Sequence, residues 1–241
     1  GEVDIIATFK TQSGKEWKIP GFYDYDQGMY WKVRFSPQEV GLYQYIVSVK
    51  DKTGQGTGET KTFKAIKSTK KGPLRIAANK RYLQYADGST FFGVGLWYND
   101  NYAGFNSGRV TAGNLDELKT LGANFISTYI TPLETIGSGL GRYDQNICGR
   151  LDQLFELLEE RDMLLSLNLW FHSYLSETVW GGGNIRWYTN PYQQICAAKD
   201  FYRSEEAWKY QEKLYRYFIA RCGYSRALAL WFMVDEVNGT V

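Results

Sequence analysis

The chain has 241 residues, with 28 basic and 26 acidic side chains for a net charge of +2. This balance excludes strong electrostatic binding to nucleic acid or to an anionic membrane as a predicted function, because both need clustered positive charge. No segment approaches the ~20 apolar residues that span a bilayer. The N-terminus lacks a basic region followed by an apolar stretch, so we expect any signal peptide to have been removed.

The first region, residues 1–67, alternates polar and apolar side chains with a period of two, which is typical of β-strands. Turn-forming residues separate the short strands, as in the segment 52–56, Lys-Thr-Gly-Gln-Gly. The predicted strands are Val3–Phe9, Trp17–Pro20, Tyr30–Phe35, Leu42–Val49 and Thr60–Ile66. Their spacing predicts a small antiparallel β-sandwich, followed by a linker and entry segment over residues 68–80.

The second region, residues 81–241, alternates apolar runs with helical stripes. The predicted strands are Phe91–Trp97, Asn124–Ile130, Met163–Phe171 and Ala227–Val234. The predicted helices are Asn114–Leu121 with its cap at Asn114, a helix carrying Leu151, Leu154, Phe155 and Leu158 that ends near Arg161, and a helix from a cap at Ser204 to about Cys222. This βαβαβαβ order predicts a parallel sheet, and the last run predicts a strand buried on both faces.

Two parallel folds compete for this region. A dinucleotide-binding fold requires Gly-x-Gly-x-x-Gly after its first strand, and the segment 93–98 lacks the third glycine. A TIM (β/α)8 barrel fits better but needs ~250 residues. We therefore predict an N-terminal antiparallel β-sandwich followed by the first half of a TIM barrel, with barrel strands 1–4 in residues 81–241.

In such a barrel, residues at the carboxyl ends of the strands form the active site. The candidate site residues are Trp97, Asn99, Trp170, His172, Asp235 and Glu236. The strand ends carry aromatic rings, amides, one imidazole and carboxylates, without a phosphate-binding glycine loop or a basic clamp. This lining predicts a neutral, polyhydroxylated substrate.

Glu236 is the strongest catalytic candidate. Glycoside hydrolysis needs one carboxylic acid that protonates the leaving oxygen and a second carboxylate across the bond. An acid that begins a loop and pairs with Arg226 would explain Glu236 equally well. Because successive strand residues point to opposite sides, we expect Asp235 to lie away from the pocket of Glu236 and to give structural support.

Each of the remaining candidates could have a structural role instead of binding a ligand. A structural hydrogen bond explains His172 about as well as contact with a substrate does. Trp97 and Trp170 could stack on a sugar ring, and the glycine-rich loop 180–192 is long enough to be functional. With one histidine and three distant cysteines, we expect no metal and no cofactor. The cysteine spacing leaves open one disulfide or three thiols.

Several segments resemble clan-A retaining glycoside hydrolases whose barrel follows a small immunoglobulin-like domain. Residues 34–45, Arg-Phe-Ser-Pro-Gln-Glu-Val-Gly-Leu-Tyr-Gln-Tyr, look like the motif of that N-terminal domain. Residues 86–95, Ala-Asp-Gly-Ser-Thr-Phe-Phe-Gly-Val-Gly, are similar to the entry into the first barrel strand. Residues 190–192 and 218–225 resemble the loop and helix before the fourth strand. The resemblance covers nearly the whole chain.

The resemblance implies roles for individual residues. The clan's fourth strand ends in Asn-Glu, and Glu236 matches the general acid/base. Asp235 stands where the clan has an asparagine that contacts the sugar 2-hydroxyl, and an ionised carboxylate can only accept hydrogen bonds. His172 falls where the clan often has a substrate-binding histidine. The clan's nucleophile, a glutamate after strand seven, has no counterpart here, so we expect the N-terminal part of a longer enzyme.

The resulting hypothesis is a secreted, extracellular glycoside hydrolase that cleaves polysaccharide or oligosaccharide bonds by retaining double displacement. The 241 residues alone are expected to be inactive. The expected partner is a carbohydrate substrate, with the C-terminal half of the barrel as remaining chain or as a partner chain. Two other functions stay open: a non-catalytic carbohydrate-binding protein with a degenerate barrel, and a structural or assembly protein.

Overall fold

The structure is a computed structural model that describes residues 3–26, 29–98, 110–130, 132–178 and 185–239. The chain divides into two compact units. The first comprises Gly1–Lys70 with Lys213–Tyr224, and the second comprises Lys71–Glu212 with Ser225–Val241. Among the described residues, no helix is long and apolar enough to cross a membrane.

Antiparallel strands make up most of the first unit. They are β1 Val3–Thr11, β2 Glu16–Pro20, β3 Phe22–Asp26, β4 Met29–Lys32, β5 Gly41–Asp51, β6 Gly54–Thr57 and β7 Lys61–Ala65. One sheet has the order β2-β1-β5-β6, with β7 also paired to β5, while β3 and β4 form a separate hairpin. Ala7, Phe9 and Tyr43 form the buried core of this unit, since alternate strand residues share a face. The predicted antiparallel organisation is confirmed, and the immunoglobulin-like assignment stays a prediction.

Two strands of the first unit are missing from the sequence-based prediction. β3 mixes tyrosine and aspartate and shows no clear apolar run. β6, Gly54–Thr57, overlaps the segment 52–56, which was predicted to be a turn. Glycine weakens strand preference, but pairing with the end of β5, as between Lys50 and Gln55, supplies the ladder. Pairing with the neighbouring strand of a hairpin therefore outweighs local composition in both strands.

The second unit contains a parallel sheet. Its elements are β8 Leu74–Ile76, β9 Leu83–Tyr85, β10 Gly95–Trp97, α1 Ala112–Thr120, β11 Phe125–Tyr129, α2 Gln145–Glu160, β12 Leu164–Trp170 and β13 Leu228–Val234. The helix α3, Glu205–Cys222, precedes β13 and begins in this unit. β8 and β9 pair antiparallel, while the order β10-β11-β12-β13 is parallel throughout. The predicted order and direction of these four strands are confirmed.

Side chains at the helix starts satisfy backbone N–H groups that lack a partner within the helix. The Thr111 hydroxyl accepts from the Asn114 N–H at 3.3 Å, and Asn114 Oδ1 accepts from the Thr111 N–H at 3.3 Å. The predicted cap Asn114 is therefore the third residue of α1, and Thr111 is the cap. Asp144 caps α2. The predicted cap of α3, Ser204, accepts from the Ala207 N–H at 3.2 Å.

Gly95 has a packing role in β10. A Cβ atom at this position would lie 1.8 Å from the carbonyl oxygen of Phe125 in β11. Only glycine allows the two strands to approach this closely. The incomplete phosphate-binding pattern around Gly95 is therefore explained by strand packing.

Burial differs between β12 and β13, although both strands are uncharged. All seven residues of β12 are buried. In β13, Leu230, Trp231, Phe232 and Met233 are 37–44% exposed. The prediction that this strand is buried on both faces is therefore wrong. β13 pairs with β12 on one side, and no described strand pairs with its other edge.

Candidate functional site

The segments that follow β12 and β13 lie side by side. Trp170 is opposite Val234 in the parallel register, and the Asp235 N–H donates to the Trp170 carbonyl oxygen at 3.2 Å. The chain therefore continues alongside β12 past the end of β13. This brings His172, Asp235 and Glu236 to the same edge of the sheet, where parallel α/β proteins place their active sites.

His172 lies close to both carboxylates. Its Nδ1 is 3.1 Å from Glu236 Oε2 and 3.6 Å from Asp235 Oδ1. The buried ring packs against Phe171, with 4.3 Å between the ring centroids. The backbone N–H of His172 donates to Asp235 Oδ1 at 2.7 Å. Both the main chain and the ring of His172 are thus held near the two acids.

Asp235 is the buried acid of this group. Burial raises the pKa of Asp235, and the negative charge of Glu236 acts in the same direction. The hydrogen bond from the His172 N–H, the positive charge of a protonated His172 and the Asn168 amide oppose this effect without cancelling it. The Asp235 carboxyl therefore keeps its proton to a higher pH than an exposed aspartate does.

Asp235 and Glu236 approach the same imidazole, which contradicts the expectation that they lie on opposite sides. The reason is the backbone conformation, because β13 ends at Val234 and Glu236 has a φ of +42°. Strand alternation no longer applies there. A side chain in this left-handed region costs roughly 1–2 kcal/mol. Such strain often occurs at functional sites, although Lys80 and Asp162 adopt it at exposed positions.

Glu236 is the accessible acid. Its side chain is 49% exposed, whereas that of Asp235 is 8% exposed. A carboxylate at the surface can exchange a proton with a bound molecule, and a buried one supports the groups around it. Glu236 is therefore better placed for proton transfer, and Asp235 for holding the main chain of His172.

A row of stacked rings extends across the ends of three strands. Trp97 at the end of β10 stacks on Tyr129 at the end of β11, with 6.2 Å between ring centroids. Tyr129 stacks on Phe171 at 4.6 Å, and Phe171 contacts His172. Trp97 keeps 36% of its surface exposed, whereas Tyr129 is fully buried. The predicted stacking residue Trp97 thus has an open surface on which a ligand ring could lie.

Trp170 does not belong to this row. It is 1% exposed and packs edge-on against Tyr192 at 5.9 Å and Phe201 at 5.1 Å. A ring buried in this way offers no face to a sugar, so its predicted stacking role does not fit the structure. The candidate Asn99 and residues 180–184 of the predicted functional loop lie outside the described residues.

Two buried polar residues near the strand ends were not predicted. Asn168 Oδ1 accepts from the Trp170 N–H at 3.1 Å, and its amide lowers the pKa of Asp235. A single amide within the apolar run of β12 is the signal that could have identified it, because buried amides need partners. Glu134, in the loop after β11, accepts from the Gly141 N–H at 2.6 Å. No local pattern distinguishes this glutamate in the sequence.

The chemistry available at this edge is proton transfer next to an aromatic surface. Within the described part of the chain, no group of three or more His, Cys, Asp or Glu side chains is arranged to hold a metal ion. Glu236 can donate or accept a proton, His172 contacts its carboxylate, and Trp97 offers an apolar face.

Comparison with known proteins identifies a relative in fold. A family model described as a domain of unknown function (DUF5060) matches residues 1–50. None of the curated proteins matches the chain. The crystal structure of a candidate glycoside hydrolase from Bacteroides vulgatus is similar over 100% of this chain, with 17% identity and a TM-score of 0.69. At this identity the likeness shows the fold alone, and the chain has a glycoside-hydrolase-like fold.

Two further similar structures are a β-1,4-D-mannanase from Cryptopygus antarcticus and a β-mannanase from the blue mussel Mytilus edulis. Each is 15% identical over 70% of this chain, with TM-scores of 0.47 and 0.46. The chain covers 47% of the Bacteroides vulgatus protein and 46% of each mannanase. It therefore spans about half the length of the solved structures that it matches.

Proposed function

We propose that this chain is the N-terminal part of a clan-A retaining glycoside hydrolase that acts on a polysaccharide or oligosaccharide. In this proposal, residues 1–67 form an immunoglobulin-like domain, and β10 to β13 are the first four strands of a (β/α)8 barrel. The observation that carries the proposal is the position of Glu236. Its accessible carboxylate lies at the carboxyl edge of a parallel sheet, 3.1 Å from the Nδ1 atom of His172.

Glu236 acts in both steps of the proposed reaction. It first donates its proton to the departing glycosidic oxygen, while a nucleophilic carboxylate attacks the anomeric carbon to form a covalent glycosyl-enzyme. The ionised Glu236 then takes a proton from the water that hydrolyses this intermediate, which restores the original anomeric configuration. His172 positions the Glu236 carboxylate, and Asp235 holds the main chain of His172.

The exposure of β13 supports a barrel that continues beyond this sheet. Leu230, Trp231, Phe232 and Met233 present apolar surface of the kind that neighbouring elements cover in a closed barrel. In the proposal, the remaining chain or a partner chain covers this surface and supplies the nucleophile. The 241 residues alone are then inactive. Because polysaccharides are mostly extracellular, we place the enzyme outside the cell.

A second candidate function is sugar binding without hydrolysis. It is favoured by Asp235, which replaces the clan's asparagine and whose Oδ1 accepts from the His172 N–H. An ionised carboxylate cannot donate a hydrogen bond to a sugar hydroxyl as an amide can. Retention of a soluble polysaccharide by the longer protein, without release of reducing sugar, would favour this function.

The role of Glu236 can be tested in the longer protein that this proposal expects. We expect Glu236→Gln to slow hydrolysis of a soluble polysaccharide by about 10²–10⁴-fold, because the amide cannot supply the proton. Glu156→Gln, at an exposed position of α2, is the matched control and should keep the wild-type rate. Reducing-sugar release measures both rates. Equal rates for the two variants would contradict the assignment.

A further inference from the structure

One face of the β3–β4 hairpin carries exposed aromatic side chains. They are Tyr23, Tyr25, Tyr30 and Trp31, with exposed fractions from 38% to 70%. Tyr23 stacks on Tyr30, with 6.0 Å between ring centroids and 9° between ring planes, and meets Trp31 edge-on at 5.8 Å. Tyr25 lies 6.2 Å from Tyr30. The four rings thus form one continuous surface, termed here the hairpin aromatic face.

Packing within the first unit holds the other side of the hairpin. Phe22 is fully buried and packs edge-on against Tyr217, with 6.0 Å between the ring centroids. The Tyr217 hydroxyl donates to the Tyr23 carbonyl oxygen at 2.9 Å. The main chain beneath the hairpin aromatic face is therefore fixed by contacts that do not use the exposed rings.

A buried ion-pair network adds to this anchoring. Asp24 is buried, with its carboxylate 2.6 Å from Lys32 Nζ and 2.9 Å from Arg221 Nη2. Burial by itself raises the pKa of Asp24, but hydrogen bonds and positive charge from Lys32 and Arg221 outweigh it, so that the pKa lies below its ordinary value. A paired, ionised Asp24 fixes the inward side of the hairpin, because separating buried partners is costly.

The charge distribution of the hairpin indicates which ligand suits the outward face. Asp24 and Lys32 pair with each other on the inward side, whereas the four residues of the hairpin aromatic face carry rings, phenol hydroxyls and an indole N–H. Such a surface is complementary to a neutral molecule with apolar faces and hydroxyl groups. Large exposed apolar surfaces on soluble proteins often mark binding sites, and a surface that is ordered beforehand loses little entropy on binding.

We propose that the hairpin aromatic face binds a neutral polysaccharide chain. The C–H faces of successive pyranose rings stack on Tyr23, Tyr30 and Trp31, and sugar hydroxyls exchange hydrogen bonds with the phenol groups. This surface shares no residue with the candidate catalytic site. Binding at the hairpin therefore does not depend on whether Glu236 hydrolyses a glycosidic bond.

Affinity electrophoresis in native gels tests this binding surface. The probes are konjac glucomannan, barley β-glucan and wheat arabinoxylan, with anionic polygalacturonate as the contrasting polymer. We expect the 241-residue protein to be retarded by at least one neutral probe, and Tyr23→Ala/Tyr30→Ala to weaken that retardation roughly tenfold. Tyr82→Ala, which removes an exposed tyrosine of the second unit, should leave it unchanged. None of these substitutions alters net charge, so mobilities compare directly.

Each remaining outcome would overturn this assignment. These outcomes are an absence of retardation by all neutral probes, stronger retardation by polygalacturonate, and equal retardation of wild type and double variant. Light scattering provides a further test, because an oligomer that dissociates in the double variant would assign the face to a second copy of this chain. Circular dichroism checks that the double variant folds. A failure of hydrolysis in the longer protein leaves these results unaffected, so the two proposals fail separately.

Discussion

β12 and β13 are neighbouring strands of seven residues each, and neither contains a charged side chain. β12 pairs on both sides and is buried throughout, whereas β13 pairs on one side and exposes the apolar residues at its centre. An uncharged run therefore indicates that a strand needs neighbouring elements to bury its apolar side chains. It does not indicate whether the described residues provide those elements.

The residue that follows β13 does not share the exposure of that strand. Asp235 follows the exposed strand but is itself buried, because its N–H continues the pairing with Trp170 and its carboxylate accepts from His172. Glu236, one residue further, is accessible again. The contrast between the two acids is thus set by contact with the segment after β12, and it gives the two carboxylates different chemical roles.

The largest effect on stability should come from truncating a buried leucine side chain in β12. We expect Leu167→Ala to lower the free energy of unfolding by about 2–5 kcal/mol, because the cavity forms in a fully buried strand. Leu230→Ala in β13 should cost less than about 1 kcal/mol in the 241-residue protein, since this leucine is half exposed. Urea unfolding followed by tryptophan fluorescence measures both variants.

The same pair of variants extends the comparison to the longer protein. If further strands cover β13 there, Leu230→Ala should become nearly as costly as Leu167→Ala. If Leu167→Ala and Leu230→Ala lowered the free energy of unfolding of the 241-residue protein equally, that result would contradict the exposure of β13. If Leu230→Ala lowered it only slightly in the longer protein, that result would contradict the proposal that further strands bury β13.

A smaller effect should appear at Asp235 as a dependence on pH. Burial places the pKa of folded Asp235 above its unfolded value, so ionisation costs the folded state free energy as pH rises through that raised pKa. Asparagine cannot ionise, and its Oδ1 can still accept from the His172 N–H. We therefore expect Asp235→Asn to gain stability relative to wild type between about pH 3 and pH 7.

Unfolding midpoints across this pH range provide the measurement. Asp152→Asn on α2 is a control for removal of a carboxylate elsewhere in the second unit. A constant difference between Asp235→Asn and wild type, or one that shrinks as pH rises, would show that burial does not control this carboxyl.

The two central strands of the parallel sheet were located well from the sequence, whereas β10 occupies only Gly95–Trp97 of the predicted strand Phe91–Trp97. β11 and β12 lie within one residue of their predicted bounds at each end, because short apolar runs between helical stripes are typical of buried parallel strands. β3 was missed, since pairing with β4 rather than composition makes it a strand. The predicted burial of β13 was also wrong, because the burial of a strand depends on neighbouring elements that its own sequence does not specify.

The candidate site was predictable in part for the same physical reason. Carboxyl ends of parallel strands share one edge, and this rule alone places His172, Asp235 and Glu236 near one another. Trp170 was assigned to a sugar-stacking role, because a strand without polar alternation does not show which face each side chain joins. The contact between Glu236 and His172 accompanies the positive φ of Glu236, which its residue type did not suggest.

Azide rescue of Glu236→Ala in the longer protein tests the central assignment most directly. With 2,4-dinitrophenyl glycosides, the leaving group needs no acid, so the glycosyl-enzyme should form and then persist for lack of a base. Azide needs no deprotonation and should attack this intermediate. The predicted result is a faster turnover with azide and a glycosyl azide that retains the substrate's anomeric configuration. An unchanged rate with azide, or a product of inverted configuration, would contradict Glu236 as the acid/base of a retaining hydrolase.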